Sequence, residues 1–150
     1  MSSDRTQLEE AALIRSYYKE AMAEAYNIYY ESEEIAAHLA LEIFRLENLK
    51  CASGEEEAGR SERLAEKWEI LARTKENMRF ILDRLHELAG ERDKFISDIY
   101  TSTKIVDIEA RLGDLTPWLK DLSMEVQSRA ETAKLNAKIT SEISKATNHY

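Results

Sequence analysis

Residues 60–112 read RSERLAEKWEILARTKENMRFILDRLHELAGERDKFISDIYTSTKIVDIEARL. Within this stretch Leu64, Leu71, Met78, Leu85, Arg92, Ile99 and Val106 stand seven apart, and Ile81, Leu88 and Phe95 follow three residues after Met78, Leu85 and Arg92. Two positions repeating at that interval form one apolar stripe on an α-helix, and a sustained seven-residue repeat marks helices that pack side by side. The reading of this stretch sets the fold class: all-α, a bundle or coiled coil of long helices.

The rest of the chain agrees. Its 150 residues include only 4 glycines and 1 proline, and a third of them are charged. Such a composition belongs to long helices rather than to loop-rich domains. No stretch approaches the ~18–20 apolar residues of a membrane span, and the start, Met1-Ser2-Ser3-Asp4-Arg5, lacks the basic and apolar runs of a secretion signal. With Cys51 as the single cysteine, no internal disulfide can form. A reducing, cytoplasmic location is expected.

The net charge of −8 is unevenly placed: residues 1–57 carry 13 acidic and 5 basic side chains, whereas residues 58–150 carry 16 of each. Surplus negative charge repels phosphate backbones and anionic headgroups, so neither nucleic acid nor a membrane surface is an expected partner. It also argues against a membrane-curving helical dimer, which needs a basic concave face. The acidic surface serves solubility or docks a basic partner.

Helix boundaries follow from local chemistry. The first helix is expected over about residues 5–51, opened by the capping box Thr6-Gln7-Leu8-Glu9, with the seam Ile14, Tyr18, Ala21, Ala25, Ile28, Ser32, Ile35, Leu39, Ile43, Leu46 and Leu49. The break at Cys51-Ala52-Ser53-Gly54 has two readings: Gly54 in a left-handed conformation closes the first helix, or Ser53 and Glu56 cap the second. The second helix is expected over about 56–112; the alternative is a break near Thr101-Ser102-Thr103 that closes the chain into a compact four-helix monomer, and the unbroken phase from Ile99 to Val106 favours the continuous helix. Gly113, Thr116 and Pro117 read as a stop, a cap and a first helical position. The third helix then spans about 117–147, with the seam Leu119, Leu122, Val126, Ala130, Ala133, Ala137, Thr140 and Ile143.

These lengths predict one elongated antiparallel domain. A short third helix folding back from Gly113 covers one end, around Tyr18, Ile99 and Val126, and leaves a two-helix hairpin at the other. That hairpin holds more apolar residues than one stripe per helix can bury, which is the mark of an interface. The expected interface residues are Tyr29, Tyr30, Leu39, Phe44, Leu46, Leu64, Trp68 and Leu71, covered by a second copy in a homodimer or by a heteromeric helical complex. Arg92, charged within the seam, has two readings: it specifies register or partner, with a carboxylate of the first or third helix facing it if it is buried, or its aliphatic stem lies along the stripe and its guanidinium reaches solvent.

Chemistry-bearing motifs are sparse. Asp83 with His86, and Glu34 with His38, approximate the carboxylate–histidine spacing of di-metal bundles, but neither pair falls on a seam. No phosphate loop, paired-cysteine motif or nucleophilic triad signature is present. The expected function is therefore a non-enzymatic interaction or scaffold subunit that works through helical surfaces, without cofactor. The rival expectation is a helical-bundle ligand- or metal-binding protein or sensor, which stoichiometric metal in the purified protein would favour.

Overall fold

The computed structural model describes residues 2–101 and 108–148. These form α1 (Ser2–Glu47), α2 (Gly54–Thr101), the short α3 (Ile108–Gly113) and α4 (Leu115–Asn148), with no strand among the described residues. No described helix is long and apolar enough to cross a membrane.

The α1–α2 turn follows the second of its two readings. Ser53 Oγ accepts the Glu56 N–H at 3.2 Å, and the Glu56 carboxylate accepts the Ala52 N–H at 2.7 Å. Two orphan donors at the start of α2 are thus satisfied by side chains, which is the purpose of a capping box. No described glycine has a positive φ, so Gly54 is the first residue of α2 and not a left-handed stop. α1 ends at Glu47, short of the expected 51. The Asn48 side-chain amide donates to the Phe44 carbonyl at 2.8 Å there, and Arg60 of α2 reaches across to the Leu49 carbonyl at 3.3 Å. At its other end α1 begins at Ser2, so Thr6 lies within the helix.

The expectation of one helix from 56 to 112 fails. The Arg111 guanidinium lies 3.4 Å from Asp98 Oδ2 and stacks 3.9 Å over the Phe95 ring centroid. On a continuous helix Asp98 and Arg111 would be about 20 Å apart, beyond the combined reach of the two side chains. α2 and α3 are therefore separate helices, and α3 packs Ile108 and Leu112 onto the cluster that contains Phe95 and Ile99. Val106, placed in the seam by its phase, lies outside the described residues.

Gly113 and Pro117 do less than their local signals suggest. Only Asp114 separates α3 from α4; its N–H donates to the Arg111 carbonyl and its carbonyl accepts the Trp118 N–H at 3.2 Å. α4 thus starts at Leu115, and Pro117 falls in its first turn, where a missing N–H leaves no helical bond unmade.

By contacts the chain divides into two compact units, Met1–Tyr29 with Phe80–Met124 and Tyr30–Arg79 with Glu125–Tyr150. Unit 1 holds a core of Ile14, Tyr18, Ala21, Leu88, Phe95, Ile99, Leu112 and Leu115, with Met22, Ile96, Trp118 and Leu119 packed around it. Gln7 of α1 donates to the Ile99 carbonyl of α2, and Met22 Sδ lies 3.7 Å from Arg92 Nη1. Tyr18 is buried here. Burial first, then Glu91 and Asp114, raise its phenol above the ordinary 10.0, against the opposing pull of Arg111.

Unit 2 holds a smaller cluster of Leu39, Ile43 and Leu71, with Ala36, Leu64 and Ile70 partly buried against it and Ser32 and Asn77 also buried in the unit. Glu42 pairs with Lys67 at 2.6 Å. That hydrogen bond is the main reason its carboxyl titrates below the usual range, with His38 adding to the effect. Val126, expected beside Tyr18 and Ile99, belongs by contacts to unit 2, where α4 residues Ser128, Arg129 and Thr132 line a small cavity with Arg73, Glu76 and Asn77. The Met78 end of the expected bare hairpin therefore has α4 beside it. Ala133, Ala137, Thr140 and Ile143 lie outside the residues whose side chains are described.

Candidate helix-binding surfaces

The seam phases of α1 and α2 largely hold: Ile14, Tyr18, Ala21, Ala25, Ser32, Leu39 and Ile43 are buried on α1, and Leu71, Ile81, Leu85, Leu88, Phe95 and Ile99 on α2. Ile35 departs from its expected place. It is 53% exposed, and Ala36 takes the inward position in the step from Ser32 to Leu39.

This placement sorts the expected interface residues. Leu39 and Leu71 are core residues of unit 2, buried against Ile43, so they are not available to a partner. Leu64 packs partly against the same cluster, and Leu46 and Tyr29 are half-buried. Tyr30, Phe44 and Trp68 remain at least half exposed. Leu41, which the seam did not accommodate, is also exposed.

Tyr30, Ala37, Leu41 and Phe44 share one face of α1. At ~100° per residue it lies about 140° around the helix from the face formed by Ser32, Ala36, Leu39 and Ile43. In unit 2, α1 therefore carries two apolar stripes, one turned inward and one facing solvent. The outer stripe has acidic flanks: Glu33 and Glu34, both exposed, lie on either side of it. No ion pair joins either to another described residue. Exposed apolar side chains are not confined to unit 2, since Leu8, Leu13, Tyr17, Leu82 and Met124 of unit 1 are also open.

Arg92 lies at its seam position half-buried, with Nε 3.0 Å from Asp93 Oδ1 and Nη1 3.7 Å from Met22 Sδ. The carboxylate beside it belongs to the next residue of α2, not to another helix. Its stem lies in the seam and its head reaches the edge, as a long cationic side chain can. Arg92 borders a groove of about 650 Å³ between α1 and α2 of unit 1, lined also by Arg15, Lys19, Met22, Tyr26 and Ile96.

The carboxylate–histidine pairs do not assemble a ligand set. His38 Nε2 bonds Glu42 at 2.9 Å, one turn after it, and not Glu34 one turn before. No three His, Cys, Asp or Glu side chains among the described residues come together where they could hold a metal ion.

Arg111 and Asn77 were missed from the sequence. Nothing local to Arg111 points to Phe95, which lies 16 residues away along the chain. Asn77 neighbours Met78 in the repeat, so the apolar residue masked it. No protein-family model matches the chain, and no curated protein or solved structure is significantly similar to it.

Proposed function

We propose that the protein is a non-enzymatic interaction subunit that engages other helices through the outer stripe of α1 in unit 2, by self-association or within a larger helical complex. One observation carries this reading: Tyr30, Leu41 and Phe44 are 55, 47 and 63% exposed on a single helix face, while a second face of the same helix fills the core. A helix that needs only to pack within its own chain requires one such stripe. Burying Leu41 and Phe44 against a partner is worth about 1.5–3 kcal/mol for each side chain.

The arrangement proposed for the helices is an antiparallel bundle. Its support is the contact order within each unit: Gln7 with Ile99 and Met22 with Arg92 in unit 1, Glu42 with Lys67 and Leu49 with Arg60 in unit 2.

Light scattering with sedimentation on the purified chain tests the reading. The expected species has at least twice the 17.3 kDa chain mass, and the double variant Leu41→Asp/Phe44→Asp runs as a monomer with its helical circular dichroism retained. A wild-type chain that stays monomeric throughout removes the self-association arm, and indifference to the double variant removes the stripe.

A further inference from the structure

The groove between α1 and α2 of unit 1 is lined from α1 by two cations, Arg15 and Lys19, one turn apart, with Met22 and Tyr26 beside them. From α2 it is lined by Ile96 and by Arg92, whose charge is met by Asp93 at 3.0 Å, so the unanswered charge is that of Arg15 and Lys19. Cations on an acidic helix ordinarily sit three or four residues from a carboxylate. Here the positions three and four away from Arg15 are Ala11, Ala12, Tyr18 and Lys19, and those around Lys19 are Arg15, Ser16, Met22 and Ala23. Neither cation makes an ion pair with another described residue. Only 5 basic side chains occur among the first 57 residues, and two of them are placed together here, as like charges.

The outer stripe of α1 in unit 2 is the inverse. Around Glu33 the corresponding positions are Tyr29, Tyr30, Ala36 and Ala37; around Glu34 they are Tyr30, Glu31, Ala37 and His38. His38 is the one basic group among them, and its Nε2 bonds Glu42. An uncompensated pair of anions thus flanks an apolar stripe, on the same chain as an uncompensated pair of cations above an apolar groove.

The two cannot satisfy each other within one molecule. Both lie on α1, a single helix from Ser2 to Glu47, and a continuous helix cannot bring residues 30–41 back against residues 15–26. We infer that a second copy of this chain is the occupant: the Glu33–Glu34 face of α1 from one molecule seats in the Arg15–Lys19–Arg92 groove of another. This rests on the stripe being an interaction face, as proposed above, and names its mate. Carboxylates meeting guanidinium and ammonium groups at the rim of an apolar contact set the register and the choice of partner.

A charge-swap rescue tests it, read by sedimentation equilibrium on the full chain. Arg15→Glu/Lys19→Glu and Glu33→Lys/Glu34→Lys are each expected to weaken self-association by about tenfold or more. An equimolar mixture of the two restores association, because each supplies the charge the other has lost. All of these positions are exposed, so helical circular dichroism is expected to match wild type. Glu20→Lys/Glu24→Lys, on the other side of α1, is expected to change association far less. Failure of the mixture to associate, or indifference to both reversals, overturns the inference. If Leu41→Asp/Phe44→Asp dissociates the assembly while the reversals do not, the interaction face stands and only its mate in the groove is wrong. A chain monomeric throughout overturns the inference and removes the self-association arm of the proposed function.

Discussion

Unit 1 and unit 2 draw on the same long helices and reach different interiors. In unit 1 α1 contributes a narrow seam in which Ala21 and Ala25 let the neighbouring helices approach, and Phe95, Ile99, Leu112 and Leu115 fill the space from the other side. In unit 2 the inward seam of α1 includes Ser32 and Ala36, α2 contributes the buried Asn77, and the large residues Tyr30, Leu41 and Phe44 face outward. The contrast lies in where the apolar volume is directed, not in how much α1 carries. A buried polar residue in a helical seam lowers stability and fixes register, whereas apolar residues on the far face offer contact area to another helix. Among the described residues, unit 1 holds the larger apolar cluster, and unit 2 carries the stripe of Tyr30, Leu41 and Phe44 on α1.

The largest expected difference comes from truncating the center of unit 1. Phe95→Ala removes a fully buried ring that also carries Arg111, and it should destabilise the protein by about 3–5 kcal/mol in chemical denaturation. Phe44→Ala, at an outward position, should change monomer stability by no more than about 0.5 kcal/mol while weakening self-association. Equal losses for the two would erase the contrast.

Leu71→Ala sharpens it from the other side. Leu71 is buried in the smaller cluster, and its truncation should cost about 2–3 kcal/mol, toward the lower end for leucine because the site has fewer apolar neighbours to lose. Hydrogen exchange should show the faster opening in residues 30–79, with the core helices of unit 1 exchanging last. Protection greater in unit 2 than in unit 1 would contradict the reading.

Alkaline pH should act on unit 1. The phenol of Tyr18 is held above 10.0, so the folded state prefers its neutral form. Stability from this group is complete below the unfolded value and is lost as pH rises through the folded one. Unfolding monitored above pH ~10 should therefore become easier, and Tyr18→Phe should flatten that dependence. The smallest effect belongs to unit 2. Glu42 titrates below its usual range because of Lys67, so its contribution is present above the unfolded carboxyl value and is lost as pH falls through the folded one. Glu42→Gln should remove about 0.2–1 kcal/mol at neutral pH, as surface ion pairs do, with a smaller acid dependence left behind.

The seams and the first turn were legible because they are local. Spacing at 3.6 residues per turn decides which side chains share a face, and Ser53 with Glu56 caps a helix through contacts only three or four residues long. Ile35 shows where that legibility stops. Ile35 and Ala36 both border the inward face of α1, and the apolar scale favours the isoleucine. Only the helices packed against α1 decide that the smaller residue turns in.

The sequence by itself determined that this protein is helical, where its first turn falls and most of what its helices bury, since those depend on neighbours within a turn or two. Tertiary structure alone decided what α3 packs against. Gly113 and Pro117 are the strongest local breakers, yet Pro117 fits a first helical turn and Gly113 keeps a helical conformation. α2 and α3 are nevertheless separate helices, and α3 sets Arg111 against Phe95 and Asp98. Those partners are 16 and 13 residues away along the chain, and no periodicity within a single helix can register a contact that exists only once the helix has ended.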